Sequence, residues 1–215
     1  MNSSHELIIA RKKEIIDACR QLYQTKSFRE ITIKDIGAVT SFTRTSIYNY
    51  FETKEEIFLA MHCQEYELWC VDLTAILQGH ETMCAHDFAD ALARSLQDRP
   101  LLLKLMSMNH FDMEENSRLN ILMEFKQGYG HAIAVVTQCL KKFFPNFSNK
   151  RIEQFIYTFF PFMFGIYPYT KVTEKQKNAM HDAGIQFKYQ SIYEITYRCI
   201  IYLLDSEQIC VASNP

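Results

Sequence analysis

Residues 31–58 read ITIKDIGAVTSFTRTSIYNYFETKEEIF, and this stretch decides the fold. Thr32 stands three residues before Asp35, a capping-box pattern that predicts a short helix over 33–39, burying Ile33 and Ile36 with Val39 at the margin. TSFT (40–43) follows as a tight turn, and Thr43 is placed to cap a second helix. Ile47 and Phe51, four apart, give that helix a narrow inward face. Its other positions carry Arg44, Thr45, Ser46, Tyr48, Asn49 and Tyr50, a dense set of hydrogen-bonding side chains. Thr53 with Glu56 makes another capping box and opens a long helix from Lys54 to about Leu77. A thin apolar face for a partner helix and a polar face turned outward is what the second half of a helix-turn-helix needs to enter a DNA groove. On that reading Arg44, Thr45, Ser46, Tyr48 and Asn49 reach base edges or adjacent phosphates, with the capping Thr43 among the DNA-facing residues. Thr32, Tyr50 and Lys54 hold the phosphate backbone, helped by amides at helix N-termini.

Upstream, Ser3 and Glu6 form a further capping box, and a helix to about Gln24 follows. Its face is Ile8, Ile15, Cys19 and Leu22, with Arg11, Lys12 and Lys13 off it. The chain has 215 residues and 48% hydrophobic content, enough to bury a core in one large or two small domains. With only 6 Gly and 5 Pro, long helices are favoured over a turn-rich β fold. Net charge is -2, which argues against a non-specific nucleic-acid coat. Residues 1–55 nevertheless hold 9 Lys/Arg against 7 Asp/Glu, so the basic charge sits with the helix-turn-helix. Seven cysteines occur without any C-x-x-C spacing, and no signal peptide opens the chain. Both point to a reducing cytoplasm, with thiols used as small hydrophobes.

The segment from about residue 8 to 60 resembles the N-terminal DNA-binding region of the tetracycline-repressor (TetR) family. The similarity rests on ITIKDI, on Ile47-Tyr48-x-Tyr50-Phe51 and on Lys54-Glu55-Glu56-Ile57. It implies an all-α fold in which residues 1–53 form the DNA-binding domain and 54–215 a helical ligand-binding and dimerisation domain. It further implies that Lys34, Arg44, Thr45, Ser46 and Tyr48 lie near bases, and Thr32, Tyr50 and Lys54 on phosphates. Two residues depart from the family pattern. Ser41 replaces the usual turn glycine and predicts backbone strain if φ is positive there, and Phe42 replaces a small aliphatic residue. Gly37, where the family usually has Ala, lets the two helices approach closely.

Beyond residue 78 the pattern stays helical, without an internal repeat. Helices are predicted over 85–97, from Pro100 to near Asn109, over 117–144, from Ser148 to about Gly165 and over 186–204, with a short one between the last two. HFDMEEN (110–116) reads as a connection. Residues 154–170 hold no charge and eight Phe/Tyr. Pro161, Gly165, Pro168 and a length at the lower limit argue against a membrane span and for a buried helix, bent where Pro161 cannot donate to Tyr157. In the resembled family the last two long helices pair across a two-fold axis, which implies a homodimer. Two recognition helices would then read a palindromic double-stranded operator.

Such a regulator needs an effector site. Trp69, Met106, Phe111, Met123, Tyr129, Phe159 and Met163 are candidate lining for a bulky apolar or aromatic molecule. No cofactor, metal or catalytic constellation is predicted. His110, Asp112, Glu114 and Glu115 lack ligand spacing and read as a solvated acidic turn. The function that emerges is a ligand-responsive transcriptional repressor, not an enzyme. Its rivals are a helical adaptor that kept the helix-turn-helix and a thiol-based redox sensor using Cys63 or Cys70. The latter two lie too far apart along one helix for a disulfide.

Overall fold

The computed structural model describes residues 2–108 and 110–205, with side chains described from His5 onward. Among the described residues there are eleven helices and no strand. In chain order they are α1 (Asn2–Tyr23), α2 (Ile33–Val39), α3 (Arg44–Ile47), α4 (Lys54–Gly79), α5 (Ala85–Gln97), α6 (Pro100–Met106), α7 (His110–Glu115), α8 (Leu119–Phe143), α9 (Asn149–Thr170), α10 (Glu174–Asp182) and α11 (Ile192–Asp205). The all-α class is as the sequence predicts. The capping box expected at Ser3 and Glu6 lies outside the described side chains.

The chain forms two compact units. One comprises residues up to Glu67 together with Met108–Gly130; the other comprises Leu68–Ser107 and the chain from His131. This division follows packing, not the motif boundary after residue 53, because α4 and α8 each continue from one unit into the other.

In the first unit α1 buries Ile15, Ile16, Cys19 and Tyr23, while Ile8 near its start is exposed. Tyr23 and Phe28 both meet the Phe58 ring edge-on, at 5.0 and 4.8 Å between centroids. Ile31, Ile36, Ile47, Phe51 and Ile57 complete this core. Val39, at the margin of the α2 face, is 43% exposed and lies outside it. Each fully buried Ile or Phe here contributes about 1.5–3 kcal/mol through removal of apolar area from water. Residues 110–116 differ from the expected connection, since 110–115 form α7 around a buried Met113.

In the second unit α5, α6, α9 and α11 pack together. Ser148 caps α9 as expected, its hydroxyl accepting from the Arg151 amide at 3.2 Å. The helix passes the expected end at Gly165 and continues through Pro161 and Pro168 to Thr170. Both prolines are exposed, so the carbonyls they fail to serve, those of Tyr157 and Phe164, lie towards solvent. α9 is not buried on every side. Ile152, Phe155, Ile156, Phe159, Phe160, Met163 and Ile166 face inward, whereas Tyr157, Phe164 and Tyr169 remain exposed. α11 starts at Ile192, later than predicted, and exposes Tyr202.

Candidate nucleic-acid interface

Three short segments build this surface. α2 begins at a complete capping box: the Thr32 hydroxyl accepts from the Asp35 amide at 3.2 Å, and the Asp35 carboxylate takes the Thr32 amide at 2.9 Å. The Thr32 hydroxyl also donates to the Asp35 carboxylate at 2.6 Å, and this bond first, then that from the Thr32 amide, holds the Asp35 carboxyl below its usual range. At α3, Thr43 Oγ1 accepts from the Ser46 amide. A Cβ built on Gly37 would stand 3.4 Å from the Arg44 amide, so α2 and α3 approach closely enough that only a very small residue fits between them.

The turn joining α2 and α3 needs no left-handed residue. No non-glycine residue with positive φ occurs among the described residues, so the strain expected at Ser41 is absent. The reason lies in α1. The Ser41 amide donates to Glu14 at 2.7 Å, and the Ser41 hydroxyl accepts from Arg11 at 3.3 Å. Bonds to Ser41, first from its amide and then from its side chain, lower the Glu14 pKa. The Arg11 guanidinium also covers the Phe42 ring at 4.4 Å, which gives the unusual aromatic residue a partner.

With Ile47 and Phe51 fully buried, Thr43, Arg44, Thr45, Tyr48 and Asn49 are left exposed. The spacing 44, 45, 48, 49 puts these four on one face of a helical turn. Arg44 donates to the Tyr48 hydroxyl at 3.2 Å, so the two side chains pre-arrange each other. Regular helix stops at Ile47, earlier than the pattern suggested, and residues 48–50 continue as turns, with the Tyr50 and Phe51 amides bonded to the Ile47 carbonyl. Ser46 and Tyr50 are half-buried, and Lys34 and Thr32 are exposed on and beside α2. Lys54 is occupied: its Nζ donates to the carbonyls of Phe28 at 2.9 Å and Ile31 at 3.3 Å and lies 4.1 Å from the Phe28 ring centroid. An ammonium has three donors, and two serve the α1–α2 connection.

Long-range contacts invisible to local patterning fix this surface. Arg20 on α1 pairs with Glu65 and donates to Gln64 at 2.8 Å, tying α1 to α4. Arg118, just before α8, grips the α3–α4 connection. Its Nε and Nη2 donate to the two oxygens of Glu56 at 2.7 Å each, and its backbone amide donates to Glu56 at 2.9 Å. Nη2 also donates to the Tyr50 carbonyl at 3.1 Å, and the Glu52 amide donates to Glu56 at 2.8 Å. Thr53 caps α4 through the Glu56 amide and donates its own hydroxyl to the Asn116 carbonyl at 2.9 Å. Burial would raise the Glu56 pKa, but the bonds from Arg118 outweigh it and lower the value. Arg118 and Glu56 are 62 residues apart, and no local signal pairs them.

The candidate effector-lining residues are scattered. In the first unit Phe111 is 84% exposed, Met123 is exposed, and Tyr129 is half-buried with its ring 5.7 Å from that of Tyr66. In the second, Trp69, Met106, Phe159 and Met163 are fully buried, and Trp69 donates to the Ser95 hydroxyl at 3.0 Å. A surface cavity of about 340 Å³ in the second unit is lined by Tyr169, Val172, Met180, Phe187 and neighbours, and by none of those seven. Among the described residues no His/Cys/Asp/Glu group could hold a metal, and no helix is long and apolar enough to cross a membrane. Burial pushes the Cys63 thiol up to about 11, so it carries no ready thiolate, and Cys70 is buried.

Residues 15–61 match the family described as bacterial regulatory proteins, tetR family, and residues 63–188 match the tetracyclin repressor-like C-terminal domain. No curated protein matches the chain. Among solved structures, a TetR/AcrR-family regulator from Thermobifida fusca is similar at TM-score 0.59 and 16% identity, covering 93% of this chain and 99% of that one. FadR from Bacillus subtilis, in complex with stearoyl-CoA, gives 0.59 at 11% identity, covering 90% and 97%. FadR from Thermus thermophilus, a repressor in complex with lauroyl-CoA, gives 0.55 at 16%, covering 95% and 98%. At such identities the likeness speaks for the fold alone.

Proposed function

The chain belongs to the tetR family of DNA-binding transcriptional regulators, and from that premise we propose that it is a homodimeric repressor released from a palindromic operator by a bulky apolar or aromatic molecule. The carrying observation is the exposed face of Arg44, Thr45, Tyr48 and Asn49 standing on buried Ile47 and Phe51. Arg44 is suited to a guanine edge or a phosphate, Asn49 to an adenine edge and Tyr48 to a phosphate or a thymine methyl. Lys34 on α2 adds a cation beside that face, and Thr32, Tyr50 and the remaining Lys54 N–H are the backbone-holding groups.

Dimerisation is supported by Tyr157, Phe164, Tyr169 and Tyr202, aromatic residues that α9 and α11 leave exposed in a single chain. A two-fold pair reads two half-sites about 34–36 Å apart. The bulk of the effector is inferred from aromatic and methionine-rich composition, and acyl-CoA complexes of the two FadR proteins fit that class. Release works as a population shift: effector favours a placement of the heads that no longer fits the operator. The α7–α8 connection holds the α3–α4 connection through Arg118 to Tyr50 and Asn116 to Thr53, so strain reaching α8 passes to the segment that follows the recognition helix.

Selection of random DNA by the purified protein, sequenced at two salt concentrations, tests the reading. A palindromic motif with half-sites one helical turn apart is expected. Salt-sensitive retention without a motif would refute sequence-specific reading and favour the adaptor alternative.

A further inference from the structure

The first unit contains a polar group of side chains that the DNA surface does not use. His62 and Tyr66 occupy successive turns of α4, on the same side of the helix, and their rings stack at 4.7 Å and 13°. Both are fully buried. Neither ring nitrogen of His62, nor the Tyr66 hydroxyl, has a hydrogen-bond partner among the described residues. Phe125 from α8 lies 5.0 Å from the His62 ring, His110 from α7 lies 5.4 Å away, and Tyr129 flanks Tyr66.

Buried donors and acceptors are nearly always satisfied, because an unpaired one loses water and gains nothing in return. Three such atoms within one helical turn concentrate that cost in one place. Apolar residues of the same shape would fill the space more stably, so packing alone does not account for this pair. A ligand able to hydrogen-bond does.

The surroundings restrict its charge. Burial, and then the neighbouring His110, push the His62 pKa well down, so the imidazole is neutral and offers one donor and one acceptor. The rings packed directly on His62 are Tyr66, Phe125 and a second imidazole, His110. Lys126, which reaches the Phe125 ring, is committed to Glu114 at 2.6 Å. An anion here would lose its hydration, and the neutral imidazole and phenol that meet it carry no counter-charge. His110 and Tyr129 are half-buried and form the solvent side of the cluster, the route by which a molecule would enter.

We propose that His62 and Tyr66 bind the head group of the effector, and that this head group is uncharged: a ketone, amide, alcohol or phenol on an aromatic or aliphatic body. This rests on the effector-responsive reading above and gives it a chemical class. Seating such a group displaces Phe125 and the start of α8, which directly follows the Arg118 that grips Glu56.

The test uses the full chain labelled with ¹⁵N-histidine and two probes of one shape, acetophenone and benzoate. Acetophenone should bind saturably and shift the His62 ring nitrogens, and benzoate should bind roughly tenfold more weakly or less. His62→Phe and Tyr66→Phe should each weaken acetophenone by about tenfold while leaving DNA selection unchanged. Tyr66→Phe, which removes one oxygen, carries the test alone should His62→Phe fail to fold. The proposal is overturned if acetophenone does not saturate, if benzoate binds as well, or if a folded variant binds like the parent chain. Failure of the parent chain to select DNA would sink the regulator reading and leave the probe result standing.

Discussion

Arg118→Ala is the most informative single change, because one side chain holds a buried carboxylate, a helix end and a turn together. Glu56 has a fully buried side chain, while the Arg118 side chain is 37% exposed. Removing the guanidinium strips Glu56 of two charge-assisted bonds and leaves its carboxylate in the core with the amides of Glu52 and Arg118 alone. Breaking a fully buried pair costs about 3–5 kcal/mol; discounting for the solvent that reaches Arg118, a loss of about 2–3 kcal/mol is expected. Urea denaturation followed by circular dichroism measures it. Glu56→Gln should cost less, about 1–2 kcal/mol, because the amide oxygen still accepts from Glu52. Arg118→Met with Glu56→Leu should recover to within about 1 kcal/mol of the parent chain, since both charges leave together. The reasoning is refuted if Arg118→Ala costs under about 0.5 kcal/mol, or if the Arg118→Met, Glu56→Leu variant stays as unstable as Arg118→Ala.

Four further outcomes follow from the same geometry. Tyr48→Ala should weaken operator binding at least about tenfold in a gel-shift titration with no change in oligomeric state, and undiminished affinity would remove Tyr48 from the reading face. Lys54→Gln should lower the urea midpoint, through loss of its bonds to Phe28 and Ile31, and reduce the salt slope of DNA binding by about one; an unchanged slope would assign Lys54 to packing alone. Thr32→Ala should cost about 1 kcal/mol by removing the α2 cap, checked by the same denaturation curve. Glu56 has a folded pKa below its ordinary value, so its contribution is complete above about pH 4.5 and is lost as pH falls through the lowered value. Glu56→Gln should therefore flatten the acid limb of stability against pH, and an identical limb would refute the assignment.

Local rules made the helix-turn-helix legible. Capping at Thr32 and Thr43, the Ile47–Phe51 pair and the polar face between them each depend on neighbours within four residues. The all-α class and the α5 boundaries were legible for the same reason. What resisted was non-local. Ser41 escapes strain because Glu14, 27 residues earlier, takes its amide. Lys54 turns inward because carbonyls at 28 and 31 await it. α9 survives two prolines because its outer side meets solvent, a fact that periodicity does not carry. The proposed effector contacts resisted most. Aromatic and methionine content names an apolar interior, whereas the unsatisfied polar atoms of His62 and Tyr66 appear only once packing is known.

Pro161 also sets a condition on whatever covers that side of α9. It gives no amide to the Tyr157 carbonyl, one turn earlier on an exposed stretch of the helix. A purely greasy partner surface would bury that acceptor with nothing to offer it. The matching face must carry a donor at that point or admit water beneath the proline, and this selects its partner by hydrogen bonding where the exposed tyrosines alone would select only for oiliness.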